Sequence, residues 1–422
     1  MKAGSAWADI TPSERLTIAG QMHVRYGEYT HDPLTVNAVV FEQDGTRVAL
    51  VSCDLCLMSD DYTRNIQARC EKAYGIPASS VIIGCTHTHV APLASTVLIG
   101  DLSPSFMEML SQSIVKIVGQ ALDGLEDIEL YADTGWIDKM GFNRRGYHSD
   151  GKVDMYFGSW NEDFSGLEGP RDGQVGVIFG KRLDGTLKFV IPSFATHPNS
   201  LEGESFYSAD IVGAVRSHIR MIFGEDVDVI YLTGAAGDTA PTDMLSKDKH
   251  GFWRNEDGWK RSGIYLGSEI AKVIVSSSIP MSDPDLKLEQ ARIPIPIREY
   301  NDICPDLGNE HFKSAKENWP QMIAEESPVE VRLNVLKLGD AAICTNPSEF
   351  YVEHGLEIKK HSPARVTIIS QLTDGYVGYV PTKEAFTHGG YSTWPAASSK
   401  LSEDAGDIIV ETTIEELKKA FK

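Results

Sequence analysis

The sequence predicts an α/β fold: a single large domain of mixed β-sheets flanked by helices. Two observations carry this reading. Hairpins, helices and buried apolar strands alternate along the whole of the 422 residues, the pattern of layered α/β domains. No shift in composition and no low-complexity stretch interrupts that alternation, so residues 1–422 read as one domain.

The elements follow in order. Asn37 to Glu42 and Thr46 to Leu55 are β-rich runs joined by Gln43-Asp44-Gly45, a hairpin signal. Ser59 is placed to cap a helix that runs to Tyr74 and is stopped by Gly75 and Pro77. The β-branched apolar run from Val81 reads as a buried strand that carries straight into the histidines of Thr86-His87-Thr88-His89-Val90-Ala91-Pro92 and breaks at the proline. Ser103-Pro104 opens an amphipathic helix with Met107, Leu110, Ile114, Ile117 and Ala121 on one stripe. Ile128 to Trp136 reads as a strand. Residues 138–173 lack periodicity and read as a long functional loop holding Asn143-Arg144-Arg145. A second hairpin, Gly176 to Phe179 with Leu187 to Phe194, runs into Ala195-Thr196-His197-Pro198, and a helix from Ala209 to Phe223 follows. Val227 to Leu232 is a buried strand ending in Gly237-Asp238-Thr239-Ala240-Pro241. Asn255 to Ser277 is helical, Leu286 to Pro296 an edge strand because of its prolines, and Phe312 to Ala324 a short helix. A third hairpin, Glu330 to Leu338 with Ala341 to Thr345, leads to Ser348-Glu349-Phe350; a strand from Val366 to Leu372 and a helix from Glu411 to Lys419 close the chain.

A net charge of -21 argues against nucleic acid or an anionic membrane surface as partner, since both need basic patches. The first ten residues show no apolar signal core and no run is long enough to span a bilayer, so the chain reads as cytoplasmic, acting on a small molecule. The six cysteines (Cys53, Cys56, Cys70, Cys85, Cys304 and Cys344) read as buried thiols and not as a disulfide framework.

The chemistry gathers at the strand ends. At strand period His87 and His89 share a face, and the other strand ends bring His197, Asp238, Glu349, Tyr376, Tyr379 and Tyr391. Three N or O ligands with an open position for water is the pattern of a catalytic zinc site. Singly, each residue also has a structural reading: His197 as a strand cap, Glu349 as a first-turn helix glutamate, the tyrosines as loop packing, Arg144 as a solvated charge. Asp54 and Asp238 read either as partners that orient histidines or as turn-formers, with Asp238 leaning to the first.

In order along the chain, these motifs resemble the N-terminal catalytic domain of the neutral (alkaline, non-lysosomal) ceramidases. Ala8-Asp9-Ile10-Thr11-Pro12 and Val51-Ser52-Cys53-Asp54-Leu55 open the match, and Thr86 to Pro92 stands where that family shows T-H-T-H-S-G-P. Asn143-Arg144, Thr196-His197-Pro198, Gly237 to Pro241, Ser348-Glu349-Phe350 and the pair Tyr379 and Tyr391 continue it. The resemblance implies the family's catalytic-domain fold and a Zn2+ ion held by His87, His197, Glu349 and Tyr379. It also implies that His89, Arg144 and Tyr391 line the reacting carbonyl.

The expected activity is hydrolysis of an amide (N-acyl) bond by zinc-hydroxide attack, with His89 carrying the proton and Arg144 and Tyr391 facing the oxyanion. An esterase or lactonase with the same centre, and a non-catalytic ligand-binding relative, are the alternatives. Two departures matter. Ala240 replaces the serine of the family's G-D-x-S-P, which removes any mechanism that uses that serine. The chain also reads as lacking the C-terminal immunoglobulin-like domain and the signal peptide of true ceramidases, which favours a small polar substrate without stable membrane association. Oligomeric state stays open.

Overall fold

The computed structural model describes residues 1–248, 251–301 and 310–422. Three times the chain runs through a hairpin, a helix and a strand parallel to the hairpin's second arm. The first unit is Thr35–Gln43, Thr46–Cys53, the helix Asp60–Tyr74 and Val81–Cys85. The second is Gln174–Arg182, Leu187–Phe194, the helix Ile211–Phe223 and the short pieces Asp228–Val229 and Leu232–Thr233. The third is Val329–Leu338, Ala341–Thr345, the helix Val352–His361 and Val366–Ser370. A parallel return needs a crossover, which is what each helix supplies.

The first two units share a nine-stranded sheet, joined through Lys2–Asp9 and Glu126–Trp136; the third forms a four-stranded sheet with Leu286–Ile295 on its edge. The two sheets pack face to face: Ile82, Ile178, Ile191 and Leu232 of the larger meet Leu336, Ile343 and Ile368 of the smaller, all buried. Helices cover the outer faces. Ile66, Leu110 and Ile114 lie in the core over one half of the large sheet, Val215, Leu266 and Ile270 in that over the other, and Ile358, Ile409 and Leu417 beneath the small sheet. Buried apolar area of this kind contributes roughly 25 cal/mol per Å² and holds the layers together.

This packing ties three strand ends into one place. Cys85 N–H donates to Leu372 O, Gln371 N–H to Thr233 O, and the Thr233 hydroxyl to Thr86 O. Among the described residues no helix is long and apolar enough to cross a membrane.

The elements differ from expectation in several places, among them the strand Lys2–Asp9 and the helix Val352–His361, neither of which is in the sequence reading. Residues 138–173 contain a small sheet, with Arg145–His148 between Val153–Met155 and Phe164–Leu167, and Phe142–Asn143 pairs with Thr239–Ala240. Strands of two to four residues are too short for period-two alternation to show. The run Val227 to Leu232 is split into two pieces. The last helix begins at Ala405, ahead of Glu411. Gly406 looks like a breaker in sequence but is there for close approach, since a Cβ would lie 2.2 Å from His354 Nε2. Finally, the Val81–Cys85 strand stops before either histidine. Cys53, Cys56, Cys70, Cys85 and Cys344 are buried free thiols; Cys304 lies outside the described residues.

Candidate metal centre

His87 leaves the strand in a left-handed conformation, φ 72, while its N–H donates to Leu55 O at 2.8 Å. Such a conformation is uncommon outside glycine and costs on the order of 1–3 kcal/mol, so the surroundings must hold it. It also replaces the expected same-face strand geometry: His87 and His89 meet because the chain turns between them. Their Nε2 atoms lie 3.3 Å apart. His197 comes from the loop after Leu187–Phe194, and Glu349 from a two-residue strand paired in parallel with Tyr379–Val380.

The histidine tautomers are set by their partners. His87 Nδ1 lies 2.7 Å from Cys56 O, and His197 Nδ1 lies 2.6 Å from Ala236 O. A carbonyl only accepts, so each Nδ1 carries a hydrogen and each neutral ring presents a bare Nε2. Those two nitrogens are 3.1 Å apart, and Glu349 Oε2 is 3.3 Å from both. Oε2 is buried and accepts no hydrogen bond, whereas Oε1 takes one from the Tyr376 hydroxyl at 2.8 Å. With both rings neutral, three electron-pair donors face one another with no hydrogen of their own between them. Ligand atoms about 2.0–2.2 Å from a tetrahedral zinc stand about 3.3–3.5 Å apart, close to this spacing. The donor set fits a zinc ion.

The electrostatics express the same demand. Burial lowers the His87 pKa, but the Cys56 sulfur and Glu349 carboxylate outweigh it and raise it well above the ordinary histidine value. Burial, with the positive Arg144 and His87 beside it, pushes His197 well below. Glu349 is likewise held well below the usual carboxylate range, because His87 and His197 overcome the burial that would raise it. One positive charge belongs here, as a proton on His87 or as a cation.

The other residues singled out in the sequence surround this trio. His89 Nδ1 lies 2.9 Å from Glu202 Oε1, which turns its Nε2 toward His87. Burial and the His87 charge keep the His89 pKa below its ordinary value despite Glu202. Arg144, 1% exposed, reaches His197 Nε2 at 3.1 Å and donates to Gly237 O at 2.8 Å and to the Tyr379 hydroxyl at 3.2 Å. The Tyr379 and Tyr391 hydroxyls are 3.5 Å apart. The Tyr379 hydroxyl thus accepts from Arg144 beside Tyr391, while the Tyr376 hydroxyl donates to Glu349; both phenols line the same cavity as His87 and Glu349.

Neither aspartate orients a histidine. Asp238 accepts from Val352 N–H and from Asn143 Nδ2, both at 2.7 Å, pinning the loops that carry Glu349 and Arg144. Asp54 pairs with buried Arg216 at 3.0 Å and accepts from Thr35.

A cavity of about 80 Å³ opens onto His87, His89 and Glu349, lined also by Met22, Leu57, Leu98, Ile99, Tyr376 and Tyr391. It adjoins an outer cleft of about 740 Å³ with His23, Asp154, Tyr156, Phe157 and Trp394 on its walls. Glu202 lines both. Glu202, Tyr156, Asn199 and Cys56 were not legible as site residues: each is an ordinary residue of a loop, and only its spatial neighbours give it a role. Cys56, His87 and His89 form a second group with metal-ligand atoms near one another, but His87 Nδ1 is occupied by the Cys56 carbonyl.

No protein-family model matches the chain. Over 154 residues it is 29% identical to the neutral ceramidases of Drosophila pseudoobscura pseudoobscura and Drosophila melanogaster, a match covering 34% of this chain and 22% of each relative. The matched stretch is therefore under a quarter of those relatives' length. Among solved structures, a ceramidase complexed with C2 superposes with a TM-score of 0.80 at 16% identity, covering 100% of this chain and 75% of that one. Neutral ceramidase from Pseudomonas aeruginosa superposes at 0.78 and 17% identity, covering 99% and 74%. The resemblance seen in the motifs thus holds: this chain has the fold of the neutral ceramidases and is similar to them in sequence over a third of its length.

Proposed function

We propose that the chain is a zinc-dependent hydrolase that cleaves an amide (N-acyl) bond of a small, polar substrate. The observation that carries this is the convergence of the Nε2 atoms of His87 and His197, whose Nδ1 hydrogens go to backbone carbonyls, on Oε2 of Glu349, which accepts no hydrogen bond. The similarity to proteins named neutral ceramidases supports an amide-bond hydrolase. His87, His197 and Glu349 would hold the ion, with Tyr379 as fourth ligand. Bound zinc supplies a Lewis acid that makes water nucleophilic near neutral pH.

The chain's own residues supply the rest. His89 Nε2, bare because Nδ1 donates to Glu202, takes the proton of the attacking water and returns it to the leaving nitrogen as the C–N bond breaks. The Arg144 guanidinium and Tyr391 hydroxyl are donors for the oxyanion formed at the carbonyl. Burial opposes a charge on Arg144, but the surrounding phenols and Glu349 hold its pKa well above the ordinary value, so it stays a cation. The inner cavity of about 80 Å³ and the polar and aromatic walls of the outer cleft, with His23, Asp154, Tyr156 and Trp394, favour a small polar substrate.

The test is hydrolysis by zinc-loaded protein of N-acyl amides, with esters and lactones in parallel because they pass through the same oxyanion. Amide turnover that disappears in His89→Ala is the expected result. Turnover confined to lactones or esters would shift the reaction class, and no turnover of any of the three would sink the enzyme reading.

A further inference from the structure

We infer that Glu202 is the positioning residue for His89, and that one hydrogen-bonded network sets both the proton carrier and the arginine opposite it. The inference rests on the hydrolase reading for its consequence in turnover, but the geometry stands apart from it. His89 Nδ1 lies 2.9 Å from Glu202 Oε1, with the two side chains only 9% and 15% exposed. Glu202 Oε2 accepts from Asn199 Nδ2 at 3.0 Å and from both terminal nitrogens of Arg254 at 3.2 Å. An ionised carboxylate accepts and cannot donate, so the His89 hydrogen lies on Nδ1 and Nε2 is free.

The network continues. Asn199 Nδ2 also donates to the Tyr156 hydroxyl at 2.5 Å, and that oxygen accepts from Arg144 NH1 at 2.9 Å. The path His89, Glu202, Asn199, Tyr156, Arg144 therefore links the proton carrier to the arginine by direct hydrogen bonds. A carboxylate behind an imidazole orients the ring and selects its tautomer, and loss of such partners costs roughly 10–100-fold in activity or metal affinity. Glu202 touches none of His87, His197 or Glu349 through a hydrogen bond, so its loss acts on the proton carrier and leaves the ion's ligands in place.

The experiment compares wild type, Glu202→Ala and Glu202→Gln by three readouts: bound metal per chain, kcat and KM on an N-acyl amide, and the His89 tautomer. The tautomer is read by long-range proton–nitrogen NMR of histidine-labelled protein, with the His89 signal identified by its loss in His89→Ala. Wild type is expected to show hydrogen on Nδ1. Glu202→Ala is expected to lose that preference and to drop kcat roughly 10–100-fold, with KM and metal content little changed. In Glu202→Gln the Asn199 and Arg254 donors hold the single carbonyl oxygen, so the amide N–H faces His89 Nδ1; the hydrogen is expected to move to Nε2, with loss of turnover like that of Glu202→Ala. An unchanged tautomer in Glu202→Ala overturns the pairing whatever the reaction. Equal loss of turnover in both variants, with the tautomer kept in Glu202→Gln, overturns positioning in favour of the carboxylate's charge. A shifted tautomer in a protein without hydrolytic activity supports the pairing while removing the proposed function.

Discussion

His87 Nε2 stands 3.1 Å from His197 Nε2, and both rings spend their Nδ1 hydrogens on backbone carbonyls, of Cys56 and Ala236. Two lone pairs at that distance repel unless something positive lies between them. Glu349 adds negative charge to the same spot. A cation relieves all three, which is why the ligands of the centre are expected to be exacting.

His89→Ala should retain the metal and lose about 10²- to 10⁴-fold in kcat, the usual contribution of a positioned acid–base group. Metal content and turnover measured on the same preparation check this. Unchanged kcat would remove His89 as proton carrier.

Gly20 has φ +96, and a Cβ there would lie 2.5 Å from His89 Cβ. Gly20→Ala should therefore destabilise by at least about 1 kcal/mol through backbone strain alone and push His89 out of place. The expected outcome is a lower Tm together with reduced kcat. Wild-type values for both would mean that the loop yields freely and does not help to seat His89.

Ala240 is fully buried and its backbone pairs with Phe142. Ala240→Ser restores the serine of the related motif but buries a hydroxyl, at about 1–3 kcal/mol if it finds no partner. Turnover should not rise and Tm should fall. A large gain in turnover would revive a serine-assisted mechanism.

His31 bonds to Asp32 at 2.8 Å and to Glu256 at 2.6 Å, fastening the N-terminal loop to the helix Asn255–Ser276. The Asp32 bond, aided by Glu256 and opposed by burial, raises its pKa from 6.5 to about 9. A raised folded-state pKa means that the stabilisation is full below about pH 6.5 and is lost as pH rises through about 9. The Tm difference between wild type and His31→Leu should therefore shrink from pH 6 toward pH 10. A difference independent of pH would show that His31 contributes by packing on Phe206 and Trp259 alone.

Long periodic elements were readable because their cores impose the period: the helix Asp60–Tyr74 between Ser59 and Gly75, the stripe from Met107 to Ala121, and all three hairpins. The site was readable as residues in order but not as geometry. Nothing in Thr86-His87-Thr88 signals that His87 turns left-handed, because that turn is enforced by Leu55 and Cys56 from another strand end. Asp238 read as a residue that orients a histidine, yet backbone carbonyls took that part. Glu202 stayed invisible because a glutamate in a polar loop acquires meaning only once His89, Asn199 and Arg254 surround it.

The most direct test is metal analysis of the purified protein beside His87→Ala and His197→Ala. About one zinc per chain in the wild type, with loss from both variants, is the expected result, since a zinc site depends on each of its histidine ligands. Full zinc retained by either variant, or no metal in the wild type after zinc is supplied, would contradict the assignment of the centre.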